Sequence, residues 1–155
     1  MTSIPNSSSP PKGCTNFKLR QLMRRVTQHY DDQMIEVGLK TTQYSLLSAV
    51  QNLGPIRPMD LSAHMKLDAS TLTRNLKPLV DANWVAVMPG EDARSRLVVI
   101  TTEGRAKREA AKRQWRKAQE RMNELLGLNN VAALHAVIDQ AMDKLEGVSE
   151  GDQHE

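Results

Sequence analysis

The sequence predicts a mainly α-helical fold with one small β-hairpin, and three observations carry that expectation. Apolar residues recur every three or four positions through most of the chain. Only two neighbouring runs, "WVAVM" (84–88) and "RLVVIT" (96–101), have the β-branched content of strands, and a charged stretch separates them. Gly38, Gly54-Pro55 and Gly127 fall where the helical patterns stop. The 155 residues suffice for one domain, with a core of Leu, Val, Ala and Met, since only 3% of residues are aromatic. A core so poor in large side chains is often completed across a dimer interface.

The elements follow in order. Residues 1–14 are rich in Ser and Pro and are expected to be a disordered tail. Phe17, Leu19, Leu22, Met23, Val26, Tyr30, Met34 and Val37 then mark a first helix that Gly38 ends. Thr41 or Thr42 caps a second, which runs through "QYSLLSAVQNL" to Gly54-Pro55, because proline disfavours helical geometry in the residue before it. Pro58 opens a short helix in "PMDLSAHM", and "KLD" connects it to a longer one in "ASTLTRNLKPLVDAN", capped by Asp68 or Ser70. Leu72, Leu76, Leu79 and Val80 share its apolar face; Ser70, Thr71, Thr73, Arg74 and Lys77 fall elsewhere and leave a polar, partly basic surface. Pro78 predicts a bend or a weakened last turn.

After the hairpin, whose turn chemistry Pro89-Gly90 supplies, Thr101 or Thr102 caps a long helix from about Glu103 to Leu126. Asn129 or Asn130 caps the last helix, which frays after Gly147, and 149–155 is expected to be a disordered acidic tail.

Charge is segregated along the chain. Residues 55–121 carry fourteen bases against eight acids, and residues 122–155 one base against seven. A basic middle and an acidic end fit a protein that turns one face to a polyanion. Cys14 is the only cysteine, so no intrachain disulfide can form and a reducing compartment is expected. No apolar run reaches transmembrane length, so the expected location is cytoplasmic, with no membrane partner.

Two helices joined by a short turn, the second with a polar outer face, followed by a hairpin, compose a winged helix-turn-helix. An α-helix fits the major groove of B-DNA, where hydroxyls reach phosphates or bases and an arginine fork matches guanine. By chemistry, Ser70, Thr71, Thr73 and Arg74 suit that task; a solvated helix in a bundle is the plainer reading of the same residues. At the wing tip, Arg94 and Arg96 offer long, permanently charged donors for a narrow minor groove, and Asp92 stands close enough to hold the Arg94 guanidinium.

These segments resemble the MarR family of bacterial transcription regulators. "DARSRLVVITTEG" is similar to the family's wing signature, "GLKTTQYSLLSAV" to the segment leading into its second helix, and "LSAHMKLDASTLTRNLKPLVDANWV" to its helix-turn-helix. The similarity spans roughly Thr15 to Leu145. It implies a MarR-type domain over 15–148, with a winged helix-turn-helix at about 41–102 and dimerisation helices at about 15–38 and 103–147. It implies a homodimer on double-stranded DNA, usually a repressor on a near-palindromic operator, with Ser70, Thr71, Thr73, Arg74 and Lys77 toward the major groove. Arg94, oriented by Asp92 and flanked by Arg96, would enter the minor groove.

Many members of the family release DNA when a small aromatic acid or phenol enters a crevice between dimerisation helices and winged domain. Side chains that could line it here are Arg20, Arg24, Tyr30, Tyr44, His64 and Trp84. A peroxide-sensing branch uses a reactive cysteine near the start of its first helix. Cys14 invites that alternative, and Tyr30 and Tyr44 align with two of that branch's tyrosines. However, Cys14 falls about two residues early and Thr41 stands where a further tyrosine is expected. A low-specificity architectural DNA-binding protein is another alternative. His29, His64, His135 and His154 have no ligand spacing, so no metal and no cofactor are expected, and no nucleophile–base pair or phosphate loop suggests an enzyme.

Overall fold

The computed structural model describes residues 9–92 and 94–151. Its elements are α1 (Thr15–Met34), a single 3-10 turn (Ile35–Val37), α2 (Thr41–Leu53), α3 (Pro58–His64), α4 (Ala69–Asp81), β1 (Val85–Pro89), β2 (Arg96–Ile100), α5 (Thr102–Leu126) and α6 (Leu128–Gly151). The predicted order of helices and hairpin is therefore the observed one. Residues 9–14 are exposed and carry neither helix nor strand; the rest of the expected amino-terminal tail, 1–8, lies outside the described residues.

Departures from expectation fall at helix ends, where single side chains decide. Lys40, not Thr41 or Thr42, caps α2. Gln43 Oε1 accepts the Lys40 N–H at 2.9 Å and Asp31 Oδ1 accepts the Thr41 N–H at 2.7 Å, so these amides need no threonine hydroxyl. Asp68, not Ser70, caps α4, and Thr101 caps α5 by accepting the Gly104 N–H at 3.0 Å. Neither Asn129 nor Asn130 caps α6. Both lie inside it, and Asn130 Nδ2 instead donates back to the Leu126 carbonyl at 2.8 Å, satisfying the end of α5. The last helix does not stop at Gly147: it continues to Gly151, so the expected acidic tail begins as helix, with 152–155 outside the described residues.

One core joins α1, α2, α3, α4 and the hairpin through Met34, Leu47, Leu61, Leu72, Leu79 and Val98, all fully buried. Leu72, Leu76 and Leu79 face it as predicted, but Val80 is exposed, because one further residue turns it about 100° past Leu79 to the edge of the apolar stripe. The strands pair antiparallel from Val85↔Ile100 to Pro89↔Arg96. Ile56 adds a third, one-residue strand: its N–H donates to the Val98 carbonyl at 3.1 Å and its carbonyl accepts the Val98 N–H at 2.8 Å. The root of the hairpin is thereby fastened to the segment that opens α3.

Gly104, Ala111 and Ala118, spaced by seven residues, are buried along one side of α5, with half-buried Trp115 between the alanines. Small residues there let α5 lie close to its neighbours. His29 Nε2 donates to the Ala118 carbonyl at 2.8 Å and the Tyr30 hydroxyl to Gln119 Oε1 at 2.6 Å, clasping α1 to α5. By contrast, α6 touches the rest of the chain sparingly, and Val131 is its one buried apolar side chain among the described residues.

Candidate nucleic-acid interface

The outer face of α4 is built on Asp68. Its carboxylate accepts the Thr71 N–H at 2.7 Å, the Ser70 hydroxyl at 2.6 Å and the Thr71 hydroxyl at 2.8 Å. Those bonds, led by the one from Ser70, hold the carboxyl far below the usual carboxylate range. Ser70, Thr73, Arg74 and Lys77 are exposed and share one helical row, at i, i+3, i+4 and i+7. Thr71 is set apart: it is half-buried, bonded to Asp68, and its Oγ1 accepts from Arg74 Nη2 at 3.3 Å. Lys77 reaches along the helix to Asp81 at 2.8 Å. Such exposed contacts are weak and exchange readily for a phosphate.

The cap yields a prediction. A carboxyl whose folded value is depressed contributes stability above its unfolded value, near pH 4, and loses it as pH falls toward the folded value. Asp68→Ala should therefore lower the thermal midpoint at neutral pH by roughly 2–5 °C and flatten its decline on acidification; Asp68→Asn, which still caps, should lose less. Calorimetry between pH 3 and 7 reads both effects.

At the wing tip Asp92 does something other than the sequence suggested. It does not hold the Arg94 guanidinium; its Oδ1 accepts the backbone N–H of Arg94 at 3.0 Å and of Ser95 at 2.7 Å. These two amides, Arg94's first, hold the Asp92 carboxyl below its ordinary range. The Gly90 N–H closes the loop on the Ser95 carbonyl at 2.8 Å. Asp92 thus shapes the turn, and Arg94 and Arg96 are left exposed, with neither guanidinium in an ion pair among the described residues. A free, fully charged donor at the end of a braced turn is suited to an anionic groove.

A cleft of about 330 Å³ opens between α1, α2, α5 and the α3–α4 connection, with Tyr30 and Trp115 in its wall and Asn75 of α4 at its edge. Of the side chains expected to line such a crevice, only Tyr30 does. Burial pushes its phenol above the ordinary tyrosine range. Arg20 and Arg24 are exposed on α1, and His64 is exposed on α3. Tyr44 is a core residue stacked on Trp115, ring centres 6.2 Å apart, and Trp84 sits at the hairpin root beneath the Lys107 ammonium, 5.0 Å from the ring centre. Sequence reasoning missed Trp115, although its place between Ala111 and Ala118, at i+4 and i+7, was a signal that it faces inward.

Cys14 is exposed at the start of α1, and Tyr30 lies far from it along the same helix: a rise of about 1.5 Å per residue puts Tyr30 some 24 Å away. Among the described residues no three His, Cys, Asp or Glu side chains are grouped to hold a metal ion, and no helix is long and apolar enough to cross a membrane. His154 lies outside the described residues.

The profile of the MarR family matches residues 39–95, from the residue before the cap of α2 through the wing turn. The chain is 30% identical over 105 residues, 68% of its own length and 77% of the relative's, to the uncharacterised HTH-type transcriptional regulator YwoH of Bacillus subtilis (strain 168). The chain belongs to the MarR family. As a MarR-family protein it is a DNA-binding transcription regulator. It is also similar to the transcriptional regulator MosR of M. tuberculosis, solved in complex with DNA, at 30% identity and a TM-score of 0.73, covering 86% of this chain and 98% of that one. The repressor CouR, bound to a 23-mer duplex, shares the MarR fold at 20% identity and a TM-score of 0.77, covering 87% of this chain and 99% of that one.

Proposed function

We propose that this MarR-family regulator is a homodimeric repressor that binds a near-palindromic operator and is released by a small aromatic ligand. The observation that carries the DNA half of this reading is the pairing of an exposed polar row on α4 with two exposed arginines on a braced wing. Ser70, Thr73, Arg74 and Lys77 would face the major groove, Thr71 would hold Arg74 in place, and Arg94 and Arg96 would reach the minor groove. The aligned neighbour MosR, a regulator in complex with DNA, supports that use of the fold.

Dimerisation is supported by what α1 and α6 leave uncovered. Phe17 and Met23 on α1 are 59% and 66% exposed, and Val137, Ile138, Met142 and Leu145 form an open apolar row on α6. A second copy would bury both faces at once, and large apolar side chains left exposed side by side commonly mark such an interface. A ligand in the cleft would touch α1 and α5 on one side and α4 on the other, so its differential fit can shift the spacing of the two reading helices.

Gel-shift competition tests the reading. The complex with the operator should survive an excess of random duplex, its affinity should fall steeply with salt, and sedimentation should show dimers at micromolar concentration. Equal competition by random DNA would favour an architectural role, and monomers alone would remove the two-half-site geometry.

A further inference from the structure

The segment that joins the helix-turn-helix to the wing carries an arginine that the reading above leaves idle. Ile56 is bonded to β2 through both its N–H and its carbonyl, at 3.1 and 2.8 Å from Val98, and α3, which begins at Pro58, packs on α4. Arg57 lies between them. Its backbone is extended, at φ −67° and ψ 144°, a geometry that the following proline favours, and its side chain is exposed. It stands across from Leu97, one residue from Arg96, on segments about 5 Å apart.

Local energetics do not favour an arginine at this position. Arg57 is the N-cap of α3, where Ser, Thr, Asp or Asn would close the first turn, and its side chain makes no cap bond. A cation at a helix start is also opposed by the partial positive charge of the open amides. Among the described residues neither Asp60 nor Asp92 forms an ion pair with it. The Asp92 carboxyl, held low first by the Arg94 and Ser95 amides, also feels the Arg57 charge, so Arg57 and the wing turn are neighbours.

We infer that Arg57 binds a backbone phosphate of the DNA strand that separates the two grooves, and supplies affinity without reading sequence; this rests on the placement of α4 in the major groove and the wing in the minor groove. One sugar–phosphate strand runs between a major groove and the minor groove beside it, so a protein that enters both must pass over that strand. The part of this fold that does so is the junction of α3 with β2, and Arg57 is the cation it presents. A guanidinium fork matches paired phosphate oxygens, and the bonds of Ile56 and the ring of Pro58 fix the base from which it reaches.

The test uses the full chain, a duplex that the wild type selects from a random pool, and a random duplex, with anisotropy read across a salt series. Arg57→Ala should bind both duplexes about tenfold more weakly, by the same factor, and lower the slope of log affinity against log salt by about 2, one phosphate in each half-site. Arg57→Lys, which keeps the charge, should keep the slope. In a scan of single methylphosphonates across one half-site, one linkage that weakens the wild type when neutral should cost Arg57→Ala nothing. Circular dichroism checks folding, and Arg57→Gln carries the same test if the alanine variant unfolds. An unchanged salt slope, a loss confined to the selected duplex, or neutral linkages that all cost both proteins alike overturns the inference. A wild type that does not prefer its selected duplex sinks the two-groove reading, and the slope on random duplex then still decides Arg57; clear preference with an unchanged slope sinks only the Arg57 assignment.

Discussion

Arg94→Ala is expected to weaken operator binding by roughly a hundredfold or more while leaving the dimer intact. The side chain is exposed and its guanidinium has no ion pair among the described residues, so its removal takes nothing from the fold. An arginine contact of this kind is worth about 1–3 kcal/mol, and a dimer makes it twice, once per wing. Fluorescence anisotropy with the operator at fixed salt measures the loss, and sedimentation checks the dimer. Unaltered affinity would take the wing out of the mechanism. Arg74→Ala serves as the contrast: from the exposed row of α4 it should reduce discrimination among sequences more than affinity for random DNA. Asp92→Ala should mimic part of the Arg94 effect by a different route, because its carboxylate holds the Arg94 and Ser95 amides and not the guanidinium.

That last distinction shows where a sequence stops being legible. Periodicity and breakers place helices well, since Leu72, Leu76 and Leu79 must share a face at 100° per residue and Gly38 must end a helix that it leaves with φ of 64°. The identity of a hydrogen-bond partner is another matter. Asp92 stands two residues from Arg94, and spacing alone allows either the guanidinium or the backbone amide; the turn decides for the amide. The crevice was legible only in outline. Tyr30 is within reach of sequence reasoning as an aromatic that could stack on a ring, but Thr41, Asn75 and Trp115 meet across three different helices, and their meeting depends on how α5 is laid against α1 and α2. Arginines drew attention by their chemistry, yet Arg20 and Arg24 face solvent, since an unpaired guanidinium cannot be buried cheaply.

The charged tip of the hairpin works only if its root is held, and Gly104→Ala is expected to show how. On an ordinary helix this change is favourable by about 1 kcal/mol. Here the third residue of α5 lies against the hairpin root, and an added methyl would overlap the Trp84 carbonyl oxygen and stand 2.9 Å from Ile100 Cγ1. That carbonyl is already engaged, accepting the Thr101 N–H at 3.1 Å, while the Thr101 hydroxyl donates to the Asn83 carbonyl at 2.6 Å. The obstacle is backbone, which cannot rotate aside as a side chain would. The sign should therefore reverse, to a destabilisation of about 3 kcal/mol, read in urea unfolding at constant m. An unchanged or raised midpoint would mean that α5 starts farther from the hairpin than these atoms indicate. Operator affinity should fall as well, even under conditions where the variant is fully folded, because pushing α5 away from Trp84 re-aims the strands that carry Arg94 and Arg96. Thr101 and Gly104 are in that sense the mounting of the wing: a hydroxyl that caps α5 and ties it to the turn before β1, and a missing side chain that lets the two come together.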